Sequence, residues 1–188
     1  MRVARLMPIA VLAVAAGGAA VASAQAPARE TVTALLNGKK VTVDYGRPAL
    51  GGRSVKELLA QLPANRIWRA GVNEATTLTT ESDVVIGGKK VAAGKYTLYI
   101  YAPESASYEL VVNRDLGVPV RGDRMWPHYS DYETIKDKEV ARIPLKSVAP
   151  ATPMDRFLIG LAPAKAGASS ITLTWGDQSW TADITPGK

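Results

Sequence analysis

The chain has 188 residues, no cysteine, and 23 Lys and Arg against 17 Asp and Glu, for a formal net charge of +6. Without cysteine there is no disulfide framework, no thiolate nucleophile, no zinc–thiolate site and no lipoprotein anchor. The basic residues are scattered among acidic ones and form no stripe with interleaved aromatics, so no nucleic-acid partner is expected.

The first segment reads as an export signal. Arg2 and Arg5 precede an uncharged run, Leu6 to Val21, and Ala22-Ser23-Ala24 has the small-x-small pattern cut by signal peptidase. The run is barely long enough to span a bilayer, and Gly17 and Gly18 weaken it. Cleavage after Ala24 is therefore expected over a retained anchor, leaving residues 25–188 as one domain in the periplasm or outside the cell. No further run of spanning length follows.

Beyond the leader, period-two alternation dominates, the mark of strands with one apolar face. Thr31–Leu36 is a strand, and Asn37-Gly38 supplies the positive φ of a tight hairpin. In the next strand Val41, Val43 and Tyr45 alternate with Thr42 and Asp44. A bend rich in glycine and proline follows, Arg47-Pro48 to Gly51-Gly52-Arg53. Ser54-Val55-Lys56-Glu57 fits a capping box and opens a short helix with Leu58, Leu59 and Leu62 on its apolar face, stopped by Pro63.

Next comes the densest polar stretch of the chain, Ile67-Trp68-Arg69-Ala70-Gly71-Val72-Asn73-Glu74-Ala75-Thr76. Strands are then expected at Thr77–Glu81 and Val84–Ile86, with a turn at Gly87-Gly88. In the following strand Tyr96, Leu98 and Ile100 alternate with Thr97 and Tyr99. Tyr108–Asn113 is a further strand. An irregular segment, Arg114 to Lys138, precedes strands at Glu139–Ser147, Arg156–Ala162, Ile171–Trp175 and Trp180–Ile184, the last two joined by Gly176-Asp177. Many short strands with such turns predict a single all-β antiparallel sandwich, or a jelly-roll-like relative, with one short helix.

Two groups of residues stand out as sites. Arg47, Arg53, Trp68, Arg69, Asn73 and Glu74 could line a pocket in which guanidinium donors bind a small polar or anionic ligand; the alternative is an internally paired structural network. Trp126, His128, Tyr129 and Tyr132, with Tyr99 and Tyr101 on one strand face, could form a stacking surface for sugar rings or an envelope partner. A lone histidine cannot build the multi-histidine sites of catalytic zinc, so His128 with Asp131 and Glu133 is not assigned a metal. There is no nucleophile elbow, phosphate loop or dinucleotide fingerprint. No catalytic residue and no cofactor are assigned, and Glu74 as the acid or base of a hydrolase is the remaining enzymatic option.

The residues Arg47-Pro48, Gly52-Arg53, Trp68-Arg69-Ala70-Gly71-Val72-Asn73-Glu74-Ala75-Thr76 and Ala93-Gly94-Lys95-Tyr96 together resemble the family catalogued as domain of unknown function 2911. Lys136-Asp137-Lys138-Glu139-Val140-Ala141-Arg142-Ile143 is similar to that family's lysine–aspartate–arginine start of a strand. The resemblance covers nearly the whole chain after the leader; Val72, where alanine is more usual, is a minor departure. It implies a β-rich exported protein and brings no activity, cofactor or catalytic role with it.

Overall fold

The alternation resolves into two antiparallel sheets laid face to face. The computed structural model describes residues 29–105, 107–122, 124–163 and 168–187; the leader expected over Met1–Ala24 lies outside them. In chain order the strands are β1 (Arg29–Leu36), β2 (Lys39–Gly46), β3 (Ile67–Trp68), β4 (Thr77–Thr80), β5 (Val84–Ile86), β6 (Lys89–Val91), β7 (Gly94–Tyr101), β8 (Glu109–Asn113), β9 (Val118–Arg121), β10 (Arg124–Trp126), β11 (Glu139–Pro144), β12 (Lys146–Val148), β13 (Met154–Pro163), β14 (Ser169–Gly176) and β15 (Gln178–Pro186), with helix α1 (Val55–Ala60) between β2 and β3. One sheet runs β1-β2-β4-β7-β8-β11 with β3 on β7; the other runs β13-β14-β15-β5-β6 with β12 on β15.

The inner faces carry the apolar half of each alternation. Val41, Val43 and Tyr45 from one sheet meet Phe157, Ile159, Ile171, Leu173 and Trp180 from the other in a single core. Each such side chain contributes about 1.5–3 kcal/mol by leaving water. Asn37 and Gly38 sit at φ +49° and +76°, the left-handed pair of a two-residue hairpin turn, and this turn fixes the β1–β2 register. Tyr45 Oη donates across the sheets to the Ile159 carbonyl at 3.2 Å.

Helix α1 begins as its sequence predicts. Ser54 accepts from the Glu57 amide at 3.2 Å, and Glu57 accepts from the Ser54 amide at 2.7 Å. Its inward face differs slightly from the expected one: Val55 and Leu59 are buried, while Leu58 and Leu62 only border the core.

Two expectations about the strands need correction. The strand expected over Glu139–Ser147 is two strands, because the chain leaves one sheet after Pro144 and joins β15 of the other from Lys146. Strand β7 is buried on both faces, not one: Thr97 and Tyr99 are as inaccessible as Leu98. The cause is the segment Arg114–Lys138, whose described residues form the β9–β10 ribbon and two short 3₁₀ turns. It covers the outer face of the first sheet, and Ile67, Tyr99, Val111, Tyr132 and Ile135 form a second small core beneath it.

Buried Asn113 pins this cover. Its Nδ2 donates to the Ile135 carbonyl at 3.0 Å and to Tyr132 Oη at 3.2 Å, and its Oδ1 accepts from the Asp115 amide at 2.8 Å. The later motif completes the attachment: Lys138 pairs with Asp115 at 2.7 Å, Tyr132 Oη donates to Glu139 at 2.9 Å, and Arg142 grips Glu139 through two 2.7 Å bonds.

Candidate functional site

The Trp68–Thr76 motif is a knot of backbone as much as a set of side chains. Ile67 and Trp68 pair with Tyr101 and Ile100 of β7, and the chain then turns through Ala70 at φ +51° and Asn73 at φ +62°. Left-handed geometry is tolerated by asparagine and costs alanine roughly 1–2 kcal/mol. The buried Thr76 hydroxyl offsets this by donating to the Ala70 carbonyl at 2.9 Å. Gly46 and Gly71 allow the strand end and the loop to touch: a Cβ on Gly46 would overlap the Val72 carbonyl oxygen, and one on Gly71 would lie 2.8 Å from Thr76 Oγ1.

The six residues expected to share a pocket separate into distinct places. Arg47 faces away from the motif: its Nη1 pairs with Glu30 at 2.8 Å and its Nε donates to the Phe157 carbonyl at 3.1 Å. Glu74 lies in a polar cleft of about 380 Å³ bordered by Arg29, Asp44, Lys95 and Arg124. There it pairs with Arg124 at 2.8 Å and with Arg29 at 3.4 Å, while Arg29 also grips Asp44. Among the described residues the side chain of Asn73 makes no hydrogen bond; what Asn73 supplies is its left-handed backbone.

Arg53, Trp68 and Arg69 do come together. They border one cleft of about 210 Å³ between α1 and the motif, with Leu58, Leu62 and Trp175 as its apolar walls. Trp68 is buried, stacked on Trp175 at 5.2 Å with planes 14° apart, and set edge-on to Phe157 at 4.9 Å. Exposed Arg53 donates Nε to the Leu50 carbonyl at 3.0 Å. The Arg69 guanidinium lies 5.4 Å from the Trp126 ring and 4.8 Å from the Tyr129 ring, a cation–π arrangement. Its Nη1 is buried with no hydrogen-bond partner among the described residues.

The aromatic group separates as well. Trp126 is 44% exposed and with Tyr129 it holds Arg69, but Tyr132 and Tyr99 are buried edge-to-face at 5.0 Å in the second core and present no surface. His128 Nδ1 lies 3.2 Å from Asp131 Oδ2, and among the described residues no three His, Asp or Glu side chains converge as a metal site.

The two clefts differ in electrostatics. Around Glu74 each guanidinium meets a carboxylate. Burial raises the Glu74 pKa, but its own amide, Arg124 and Arg29 outweigh that and hold the carboxyl below the usual range. It stays ionised and is a poor proton acceptor near neutrality, which counts against a hydrolase built on it. Glu139 follows the same pattern: burial pushes it up, and Arg142 and Tyr132 pull it further down.

A carboxyl with a lowered folded-state pKa stabilises the fold above its unfolded value of about 4.3 and loses that contribution as pH falls through the folded value. Urea midpoints should therefore fall below about pH 4.3, and Glu139→Gln should flatten that acid limb. An unchanged limb in the variant would exclude Glu139 as a source of the acid sensitivity.

The cleft of Arg53 and Arg69 has no such balance: two arginines border it, and no Asp or Glu does. Among the described residues neither arginine has a carboxylate within ion-pair distance. The arginines at 53 and 69 were legible in the sequence as candidates. The separation of Arg47 and Glu74 from them was not, because it depends on Arg29, Glu30 and Arg124, which stand outside the motif.

Among the described residues no helix is long and apolar enough to cross a membrane. No curated protein and no solved structure matches the chain. Residues 27–184 match the family described as Protein of unknown function (DUF2911), so the chain belongs to the DUF2911 family.

Proposed function

We propose that this is an exported ligand-binding module that takes a small anion with an apolar body, held in the cleft of Arg53, Trp68 and Arg69. The observation that carries the reading is the charge of that cleft: two arginines and no Asp or Glu among the residues that border it. Guanidinium binds carboxylate or phosphate through paired donors, and the indoles and leucines suit hydrocarbon. Export rests on the leader, with Arg2 and Arg5 before an uncharged run that ends at Ala22-Ser23-Ala24.

Calorimetric titration with hexanoate and its neutral counterpart hexanamide tests the proposal. Hexanoate should bind at least tenfold more tightly, and Arg69→Gln and Arg53→Gln should each cost about tenfold, the weight of one charge-assisted hydrogen bond. Circular dichroism of each variant checks that it is folded. Equal affinity for acid and amide would overturn the reading.

A further inference from the structure

A cleft of about 210 Å³ falls below the roughly 300–1,000 Å³ of most small-molecule sites, so it suits the head of a ligand better than a whole one. A second cleft, of about 700 Å³, lies on the other side of α1. Leu59 borders both. The floor of the larger one is apolar, with Val55, Ala60, Pro103 and Tyr108, and its rim balances Lys56 and Arg66 against Glu104 and Asp177. The two clefts thus form a gradient, cationic at Arg53 and Arg69 and neutral with an apolar floor beyond Leu59.

Helix α1 has six residues, of which Val55 and Leu59 are the buried ones, and a helix this short does not hold itself together without its packing. The bend before it carries Gly51 and Gly52, both at positive φ and with open space around them, and Pro63 follows it. Joining the clefts would take a shift of the Leu59 side chain or a tilt of α1.

We infer that the joined clefts bind a single-chain anionic amphiphile, its head at Arg53 and Arg69 and its hydrocarbon chain passing Leu59 along the floor of the larger cleft. This rests on the anion reading above and adds the length and course of the ligand.

The test is calorimetric titration of the full chain with hexanoate, octanoate, decanoate and dodecanoate, each below its micelle-forming concentration. Each added methylene should tighten Kd about fourfold through dodecanoate. Leu59→Trp, at the boundary of the two clefts, should flatten the series beyond octanoate. Ala60→Trp should act likewise; Ala60 is exposed and borders only the larger cleft, so this variant gives the same readout should Leu59→Trp unfold the chain.

A wild-type series that stops tightening at hexanoate overturns the joined site and leaves the anion reading standing. So does a series that both tryptophan variants leave unchanged. If neither hexanoate nor dodecanoate binds, both readings fall together.

Discussion

Gly46→Ala is expected to destabilise the protein by on the order of 3 kcal/mol, as overpacking against a fixed backbone does. The added methyl overlaps the Val72 carbonyl oxygen and crowds Val72 Cγ1 at 3.1 Å. Neither side can give way cheaply. Gly46 is paired with Arg29 in the β1–β2 ladder, and the loop holding Val72 is closed by the Thr76–Ala70 hydrogen bond and tied to β10 by the 2.7 Å bond from the Ala75 amide to the Met125 carbonyl. Gly160→Ala is the matched control, since a methyl there meets nothing within 4 Å and should change stability by less than about 0.5 kcal/mol. Urea unfolding of the two variants gives the comparison. A Gly46→Ala cost below about 1 kcal/mol would show that the 66–76 loop yields, and the close-approach account would then be wrong.

Trp68→Ala should cost about 4 kcal/mol, within the range for removing a large buried aromatic. The indole is held between Trp175 at 5.2 Å and Phe157 at 4.9 Å, and Tyr45 meets Phe157 at 6.0 Å. These four rings come from β2, β3, β13 and β14, so they join the two sheets at the end where α1 sits. Trp68→Ala removes the ring that touches both Phe157 and Trp175 and also strips a wall from the Arg53–Arg69 cleft. Trp126→Ala, on the surface, is the contrast: it removes a partner of Arg69 and should cost no more than about 1 kcal/mol. Similar losses from the two variants would contradict the central place given to Trp68.

The sandwich was legible because its strands alternate cleanly. Val41, Val43 and Tyr45, or Ile171, Leu173 and Trp175, need one apolar face and have one. Helix α1 was legible from Ser54 and Glu57, whose reciprocal hydrogen bonds are local in sequence. Burial of Thr97 and Tyr99 was not legible, because it depends on a segment about twenty residues downstream folding back over β7. For the same reason Tyr132 read as a surface aromatic: nothing within its own segment reports that its hydroxyl accepts from Asn113 and donates to Glu139.

The site was half legible for a related reason. A run of polar residues announces that something is built there, but it does not say which charge meets which. Glu74 turns to Arg29 and Arg124, and Arg47 turns to Glu30. Arg53 and Arg69 are left bordering a cleft that no Asp or Glu borders, and that remainder can be read only once the other pairs have been assigned in space.

The near-parallel indoles of Trp68 and Trp175 also give the molecule an intrinsic optical signal. At 5.2 Å their electronic transitions couple, and the strength of such coupling falls with the inverse cube of separation. Because both rings wall the arginine cleft, a guest that enters it or a tilt of α1 that reshapes it alters a spectroscopic band of the native protein. Occupancy can be followed without a label attached anywhere on the chain.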